Sequence, residues 1–454
     1  MTGARVGVGA RPPDGPFLRR VLPRSPRAAV LAAWHLHRDL LSNAGTLVMS
    51  TGVASLLGVV YWMFATRLFS QRAVGYGSAA VSAMTLLGTI GMLGLGTLLI
   101  GELPRRSSRA GLVSAALVTC GLGSLVLGLG FAVTAPHVSS NFANMIGTPG
   151  RGALFVAGVA VTGVTLVFDQ ATIGLMRGGL QLGRNIAFAV AKVLVLPAAA
   201  IVMHDQFGAG ITLSWVAGMA LSLVLVAIRL RLAGEPVLPR PDWGVLRGLG
   251  KTAMAHNWLN LAMTMPFYLL PVLVTVIVSP SANAAFYIAA MLTTFLFIVP
   301  AHLSTVLFAV VAADPGVVAK KLRFALRVSF IIGIPGMAVL ILGAHLALGL
   351  FGKGYTVATV PMWLITLGYP AAVPKSLYIA VCRAAGQITR AAVVLTACSS
   401  LEIAAAAAGG MAGGLYGLSL ALLAVRYAEA LVTAPPVLRT AFGHSRHPVI
   451  PSIS

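Results

Sequence analysis

Long apolar runs with short polar interruptions dominate the chain from residue 43 onward. Lipid satisfies no backbone hydrogen bonds, and barrel strands would be about ten residues long with alternating polarity, so runs of this length predict helices. A bilayer core about 30 Å thick needs about 20 apolar helical residues per crossing. The twelve predicted spans are 43–66, 75–101, 110–134, 152–174, 185–203, 207–228, 252–278, 284–312, 328–351, 356–380, 391–409 and 412–434. We therefore predict an all-α membrane protein with about 12 transmembrane helices.

Composition strengthens this prediction, because 58% of the 454 residues are hydrophobic and only 9% are charged. Soluble domains carry about 25% charged residues, so a soluble domain with a single membrane anchor is excluded. The predicted spans form two groups of six. We expect a disordered basic cytoplasmic tail at 1–41, a first six-helix lobe at 42–230, a cytoplasmic linker at 231–251, a second lobe at 252–436 and a cytoplasmic tail at 437–454.

The net charge of +22 raises the question of nucleic-acid binding. Of the 32 basic residues, 25 fall in the tails and in the loops of one side, whereas four fall in the loops of the other side. Three more, Lys192, Lys375 and Arg426, lie within spans. This asymmetry follows the positive-inside rule and predicts the cytoplasmic membrane with both termini in the cytoplasm. The charge therefore calls for no nucleic-acid partner, but it does favour contact with anionic membrane lipid.

The two halves of the chain repeat a short basic pattern. The stretch "LMRGGLQLGRN" at 175–185 returns as "VCRAAGQITRA" at 381–391, and 67–99 resembles 276–308 at an offset of 209 residues. The first alignment, at an offset of 206, matches Arg177 with Arg383, Gln181 with Gln387 and Arg184 with Arg390. A duplicated six-helix unit keeps its sidedness, so we predict two lobes related by a pseudo-two-fold axis along the membrane normal. The alternative is ordinary inner-loop charge with a shared loop length.

Two stretches carry a resemblance to a known family. "DQATIGLMRGGLQLGRNIAFAVAKVLVL" at 169–196 and "LFGKGYTVATVPMWLI" at 350–365 resemble polysaccharide biosynthesis flippases of the O-antigen type. These belong to the multidrug/oligosaccharidyl-lipid/polysaccharide exporter superfamily. The resemblance implies an alternating-access flippase that exports a polyprenyl-pyrophosphate-linked glycan and needs no cofactor. It also implies pathway glycosyltransferases or a polymerase as partners.

A pyrophosphate headgroup requires cations in a dry cleft, and charges inside spans usually face a cavity or one another. We therefore predict Lys192 and Arg426 as substrate-binding residues, with Arg67 at the outer end of the first span. Each has a structural alternative. Arg426 and Glu429 are three residues apart on one helix, a spacing that allows them to form an ion pair. This ion pair is the favoured interpretation for Arg426. Lys192 can extend toward the interface, and Arg67 can be an interfacial anchor.

The remaining charged candidates fall into two groups. The loop arginines are predicted to hold inner-leaflet phosphate at a cytoplasmic entrance, and they are Arg177, Arg184, Arg383 and Arg390. Three carboxylates are candidates for ion coupling or ion pairing. Asp169 is near enough in sequence to pair with Arg177 or Lys192, Glu402 has no local partner, and Glu429 is the possible partner of Arg426.

Other functions remain as alternatives. A cation-coupled multidrug exporter of the same superfamily needs carboxylates in its cavity, and the first span contains none. A membrane polysaccharide polymerase or ligase is less favoured, because such enzymes have a sizeable external loop and the longest external stretch here is 135–151. An excess of cavity cations would favour the flippase, and an excess of carboxylates would favour the drug exporter.

Overall fold

The computed structural model describes residues 55–106, 109–203, 207–248, 250–313 and 318–443, and no β-strand occurs among them. The helices of the first half are α1 (Ser55–Leu68), α2 (Gln71–Gly91), α3 (Leu95–Glu102), α4 (Ala110–Val138), α5 (Ser140–Ile146), α6 (Pro149–Gly174), α7 (Gly178–Val202) and α8 (Ala209–Leu232). Those of the second half are α9 (Trp243–Gly248), α10 (Gly250–Ile277), α11 (Pro280–Ala313), α12 (Val318–Gly349), α13 (Thr359–Leu367), α14 (Tyr369–Ala384) and α15 (Ile388–Phe442). A 3₁₀ helix, Lys353–Ala358, precedes α13.

Among the described residues, nine helices are long and apolar enough to cross a bilayer. A tenth span is the bent pair Lys353–Leu367 and Tyr369–Arg383, whose two parts differ in direction by 46°. The described part of α1 is shorter, and the 55-residue α15 is interrupted at Gly413 and Gly414. With α15 counted as two spans and α1 included, the helices correspond to the twelve predicted runs. The predicted fold class is confirmed, and the chain is a multi-pass membrane protein.

The interruption in α15 reverses the chain direction. Lys375 Nζ lies 2.7 Å from Glu402 Oε1 and 2.9 Å from Glu429 Oε2, although those glutamates are 27 residues apart in sequence. A straight helix of that length would separate them by about 40 Å at 1.5 Å per residue. Gly414 has a φ of 58°, a conformation that glycine adopts without strain. We name the two antiparallel arms α15a (388–412) and α15b (415–442).

The helices pack as two lobes. In the first, α7 packs against α8, and α4 and α2 pack against α6; in the second, α14 and α10 pack against α15, and α11 packs against α14 and α12. The lobes meet mainly through contacts of α2 with α10 and α11. The second lobe extends beyond the predicted boundary at 436, because α15 continues to Phe442. The predicted tail at 1–41 lies outside the described residues.

The α1–α2 turn of the first lobe and the α10–α11 turn of the second lie at one end of the helices. Following the predicted topology, we call this the outer end and the opposite end the inner end. At the outer end the lobes are in close contact. A Cβ on Gly75 would lie 1.7 Å from the carbonyl oxygen of Pro280, so only glycine permits this approach. Asn283 donates from Nδ2 to the Gly75 carbonyl at 2.8 Å and to Ser78 Oγ at 3.0 Å. The outer end is therefore closed by direct backbone contact and amide hydrogen bonds.

Helix caps reveal the register of the internal repeat. Ser70 caps α2 by accepting a hydrogen bond from the Ala73 N–H at 3.2 Å, and Ser279 caps α11 by accepting one from the Ala282 N–H at 3.1 Å. The two serines are 209 residues apart, which is the offset predicted for this region. The structure therefore supports that part of the sequence alignment at the level of single residues.

The loop alignment at an offset of 206 is wrong in register. The turn between α6 and α7 has a left-handed residue at Met176, with a φ of 58°, and the turn before α15 has one at Gly386, with a φ of 70°. The next residues, Arg177 and Gln387, each donate a backbone hydrogen bond at 2.8 Å to the carbonyl five positions earlier. The true offset is thus 210. Arg177 therefore corresponds to Gln387 and not to Arg383. The backbone geometry of the turn, rather than residue identity, shows which positions of the two loops are equivalent.

Candidate functional site

A cavity of about 540 Å³ lies between the lobes. It is lined from α1, α7 and α8 of the first lobe and from α10, α11, α13, α14 and both arms of α15 in the second. The charged side chains in its wall are Lys192, Lys375, Glu402, Arg426 and Glu429. Both span cations predicted to bind substrate thus face one cavity, from opposite lobes. Three cations and two carboxylates line the described wall.

Lys192 lies in an aromatic cluster on the first lobe and is 4% exposed. Its Nζ is 4.2 Å from the ring centroid of Trp215, 4.6 Å from that of Phe188 and 4.8 Å from that of Tyr61. Such rings attract an ammonium through their negative faces. Among the first-lobe residues that line the cavity there is no carboxylate. The ammonium therefore offers its charge to a ligand in the cavity, without a carboxylate competing on its own lobe.

Neighbouring contacts fix the position of Lys192. A Cβ on Gly218 would lie 2.8 Å from Lys192 Cβ, so glycine allows α8 to pack closely against α7. Tyr61 is held by a hydrogen bond of 2.7 Å to Ser214 Oγ, and its ring meets Trp215 edge to face at 5.4 Å. Side chains from α1, α7 and α8 therefore hold the ammonium in a fixed position. A surface lysine has no such restraint.

The second lobe carries an ion triad of Lys375, Glu402 and Glu429, joined by the 2.7 Å and 2.9 Å contacts. The carboxylates are nearly buried, with side chains 9% and 3% exposed respectively. Glu429 Oε1 is buried and has no partner among the described residues. The sequence did not reveal Lys375 as the partner of these glutamates, because they are 27 and 54 residues away along the chain. The triad ties α14 to both arms of α15.

The expected ion pair between Arg426 and Glu429 is wrong. Although the two residues are three positions apart, Glu429 faces Lys375, while Arg426 Nη1 donates to the Ile365 carbonyl at 3.2 Å. The Arg426 guanidinium carbon is also 5.7 Å from the ring centroid of Phe297. Neither contact is with a charged group, although Arg426 and Glu402 in the same wall attract each other electrostatically.

The sequence suggested Arg177 or Lys192 as the partner of Asp169, but Asp169 pairs with Arg184. The contact is bidentate, with Arg184 Nε and Nη2 each 2.8 Å from a different oxygen of Asp169. The Arg184 side chain is 4% exposed, so its guanidinium is buried between α6 and α7. The structure thus gives Arg184 a role in joining the last turns of α6 to α7, and does not direct it toward an entrance.

The other predicted arginines lie away from the cavity wall. Arg67 is exposed at the end of α1, and exposed Arg177 donates to Glu235 across the inner face. That hydrogen bond raises the pKa of the Arg177 guanidinium above its ordinary value. Arg383, in the last turn of α14, and Arg390, in the first turn of α15, are half-buried and contact other groups. Their predicted entrance role stays a prediction.

The described ranges contain no cluster of three His, Cys, Asp or Glu side chains suited to a metal ion. In the cavity, Lys375 lies between the two glutamates and compensates part of their charge. Among the described residues, neither Lys192 nor Arg426 forms a salt bridge, and Arg426 interacts with Glu402 only at longer range. The arrangement is therefore chemically suited to an anionic group held between the lobes.

No protein-family model matches the chain, and no curated protein matches it. Solved structures do match. An inward-facing multidrug resistance MATE family transporter of the MOP superfamily aligns with a TM-score of 0.63 at 14% identity, over 86% of this chain and 96% of the other. An outward-facing structure of such a transporter gives 0.57 at 14% identity, over 88% and 95%.

A MOP superfamily transporter from Pyrococcus furiosus, described as having a binding pocket of reverse polarity that suggests a different function, gives 0.53 at 15% identity, over 88% and 96%. At this identity the likeness shows the fold. The chain has the two-lobe fold of these MATE family transporters.

Proposed function

We propose that the chain is an alternating-access flippase that exports a polyprenyl-pyrophosphate-linked oligosaccharide across the cytoplasmic membrane. Both termini would be cytoplasmic, and pathway glycosyltransferases or a polymerase would be its partners. The observation that carries the proposal is the Lys192 ammonium, which faces the cavity with aromatic rings around it and no carboxylate from its own lobe. A pyrophosphate would supply the missing negative charge.

Arg426 supports the same assignment from the opposite lobe. Its guanidinium lines the cavity and is held by a backbone carbonyl and an aromatic ring, both neutral groups. Charge-assisted hydrogen bonds from cations of two lobes to one headgroup would be strongest in a cavity that excludes water. Ligand binding would therefore draw the lobes together around the anion.

The outer contact is compatible with a cycle of opening and closing. Glycine at position 75 and the amide hydrogen bonds of Asn283 close this end without an ion pair among the contacts described there. Such neutral hydrogen bonds contribute about 1 kcal/mol each, so they add little to the cost of separating α2 from α10 and α11. Rocking of the two lobes would then release the headgroup on the outer side.

The membrane potential supplies a driving force for this substrate. Moving an anion outward across an inside-negative potential is favourable by about 2.3 kcal/mol per charge per 100 mV. Two pyrophosphate charges would gain roughly 4–5 kcal/mol, more than a thousandfold bias. The proposal therefore requires no coupling ion. In the triad, Lys375 already compensates part of the charge of the two cavity glutamates.

The direct test is flipping of a fluorescent short-chain polyprenyl-pyrophosphate glycan in proteoliposomes. Lys192→Met should reduce the initial rate by about tenfold or more, because a charge-assisted hydrogen bond contributes about 1.5–3 kcal/mol. Lys353→Met, at an exposed position outside the cavity, is the matched control and should leave the rate unchanged. Full transport by a folded Lys192→Met variant would exclude Lys192 from the substrate site.

The second candidate is a multidrug exporter for organic cations, and one observation favours it: Glu402 and Glu429 line the same cavity. A cationic substrate would have to displace Lys375 from them. Tetraphenylphosphonium uptake separates the two candidates. Uptake that increases in Lys192→Met and falls when the glutamates become glutamine would support the drug exporter, and absence of uptake would favour the flippase.

A further inference from the structure

A second, smaller cavity of about 210 Å³ adjoins the first, and the proposed binding of the pyrophosphate does not involve it. We call it the hydroxyl chamber. Its wall comes from α2, α6 and α8 of the first lobe and from α10 and α11, and it shares Trp215, Phe267 and Tyr287 with the main cavity. Hydroxyl side chains line it at Ser82, Thr85, Thr162, Thr165, Tyr268 and Tyr287. No charged side chain is part of its described wall.

The threonine hydroxyls of this chamber are arranged as acceptors. Thr85, Thr162 and Thr165 each donate to the carbonyl four residues earlier in their own helix, at 2.8 Å, 2.6 Å and 2.7 Å. Each hydroxyl hydrogen is therefore used, while the oxygen keeps lone-pair capacity. A ligand in the chamber would satisfy these oxygens by bringing several hydrogen-bond donors of its own.

The Trp215 side chain forms part of the chamber wall and carries an indole N–H. The Trp215 indole Nε1 is buried and has no partner among the described residues. A buried N–H without an acceptor costs free energy, so it indicates a group that the resting structure leaves unsatisfied. The chamber thus combines threonine acceptors, hydroxyls at Ser82, Tyr268 and Tyr287 that can donate or accept, and the rings of four aromatic side chains, namely Trp215, Phe267, Tyr268 and Tyr287.

These groups select among ligand classes. An organic cation would suit acceptors and rings, but Trp215 forms part of the chamber wall while the Lys192 ammonium lies 4.2 Å from its ring centroid, so like charges would repel. An anion would find no cation in the described wall and would meet threonine oxygens whose hydrogens are already used. A sugar ring is neutral, brings hydroxyl donors at its edge and presents C–H groups to aromatic faces.

We propose that the hydroxyl chamber binds the sugar attached directly to the pyrophosphate of the transported lipid. This inference rests on the proposed function, because the Lys192 site and the chamber share the indole of Trp215. With the pyrophosphate at Lys192, the first sugar is the part of the substrate that lies within one bond of it. The chamber then distinguishes a sugar-carrying lipid from the bare polyprenyl pyrophosphate.

The test compares the affinities of farnesyl pyrophosphate and of farnesyl pyrophosphate capped with glucose, galactose or N-acetylglucosamine. The wild-type protein should bind at least one capped probe about tenfold more tightly, equivalent to one or two net hydrogen bonds. The double variant Thr162→Val, Thr165→Val should lose this preference and bind the uncapped probe unchanged. Thr134→Val is the matched control, because Thr134 makes the same intrahelical bond at an exposed position of α4.

Several results would overturn the inference. They are a wild-type protein without preference for any cap, a preference that survives the double variant, equal loss in Thr134→Val, and loss of the uncapped probe in the double variant. Tetraphenylphosphonium binding that falls with the threonine hydroxyls would assign the chamber to organic cations instead. Lys192→Met should weaken both probes. If it changes neither, while the double variant still loses the cap preference, the pyrophosphate site is refuted and the sugar chamber stands.

Discussion

Replacing Lys375 by methionine should destabilise the second lobe strongly. The glutamate oxygens lie 2.7 Å and 2.9 Å from the same nitrogen, so they are at most about 5.6 Å apart. Without the ammonium, two carboxylates at that separation repel by about 3 kcal/mol at an effective dielectric constant of about 20. Breaking a buried ion pair typically costs about 3–5 kcal/mol. We therefore expect the free energy of unfolding of Lys375→Met to fall by about 3 kcal/mol.

The assay is unfolding of the purified protein in detergent, followed by tryptophan fluorescence. Because the loss comes from uncompensated carboxylates, adding Glu429→Gln to Lys375→Met should restore a large part of it. The triple variant that also carries Glu402→Gln should approach the wild type, since neutral groups of similar size then fill the space. Unfolding of Lys375→Met at the wild-type midpoint would refute the argument, as would a double variant no more stable than the single one.

Three further outcomes follow from other contacts. Arg184→Ala should lower the free energy of unfolding by about 2 kcal/mol, because it leaves the partly buried Asp169 carboxylate without its cation; an unchanged thermal midpoint would contradict this. Gly75→Ala should hold the outer end open, since its Cβ would meet Pro280, so a cysteine at Ser281 should react several-fold faster with an impermeant maleimide. Gly58→Ala, with open space around its Cβ, is the control, and equal labelling of the two would disprove the contact. The outer share of a pyrophosphate-linked probe in proteoliposomes should rise with inside-negative potential, whereas dependence on a proton gradient alone would oppose the energetic argument.

The sequence predicted the helices well because apolar length is a local property. The run at 110–134 corresponds to Ala110–Val138, and the run at 207–228 corresponds to Ala209–Leu232. It did not predict the break between α2 and α3, where Gly94 has a φ of 74°. A glycine in an apolar run has the composition of a helix, and only packing against other helices decides whether the chain bends there.

The site was predictable only in part. Lys192 and Arg426 could be singled out because charges are costly within spans, and both line the same cavity. The partners of each charge could not be found, since they lie on other helices. Lys375 illustrates this limit, as its two carboxylates come from both arms of α15. The aromatic rings around Lys192 were hidden for the same reason.

The repeat register has a consequence for how the two halves diverged. The carbonyls of Thr172 and Cys382 accept the matching turn hydrogen bonds. Thr165 lies seven residues before Thr172, and Lys375 lies seven residues before Cys382. Thr165 and Lys375 therefore occupy equivalent positions relative to the two turns. In the first half this position lines the hydroxyl chamber, and in the second half it is the central cation of the ion triad. A substitution at Thr165 would therefore alter the chamber wall, whereas the equivalent substitution at Lys375 would leave two buried carboxylates without their cation.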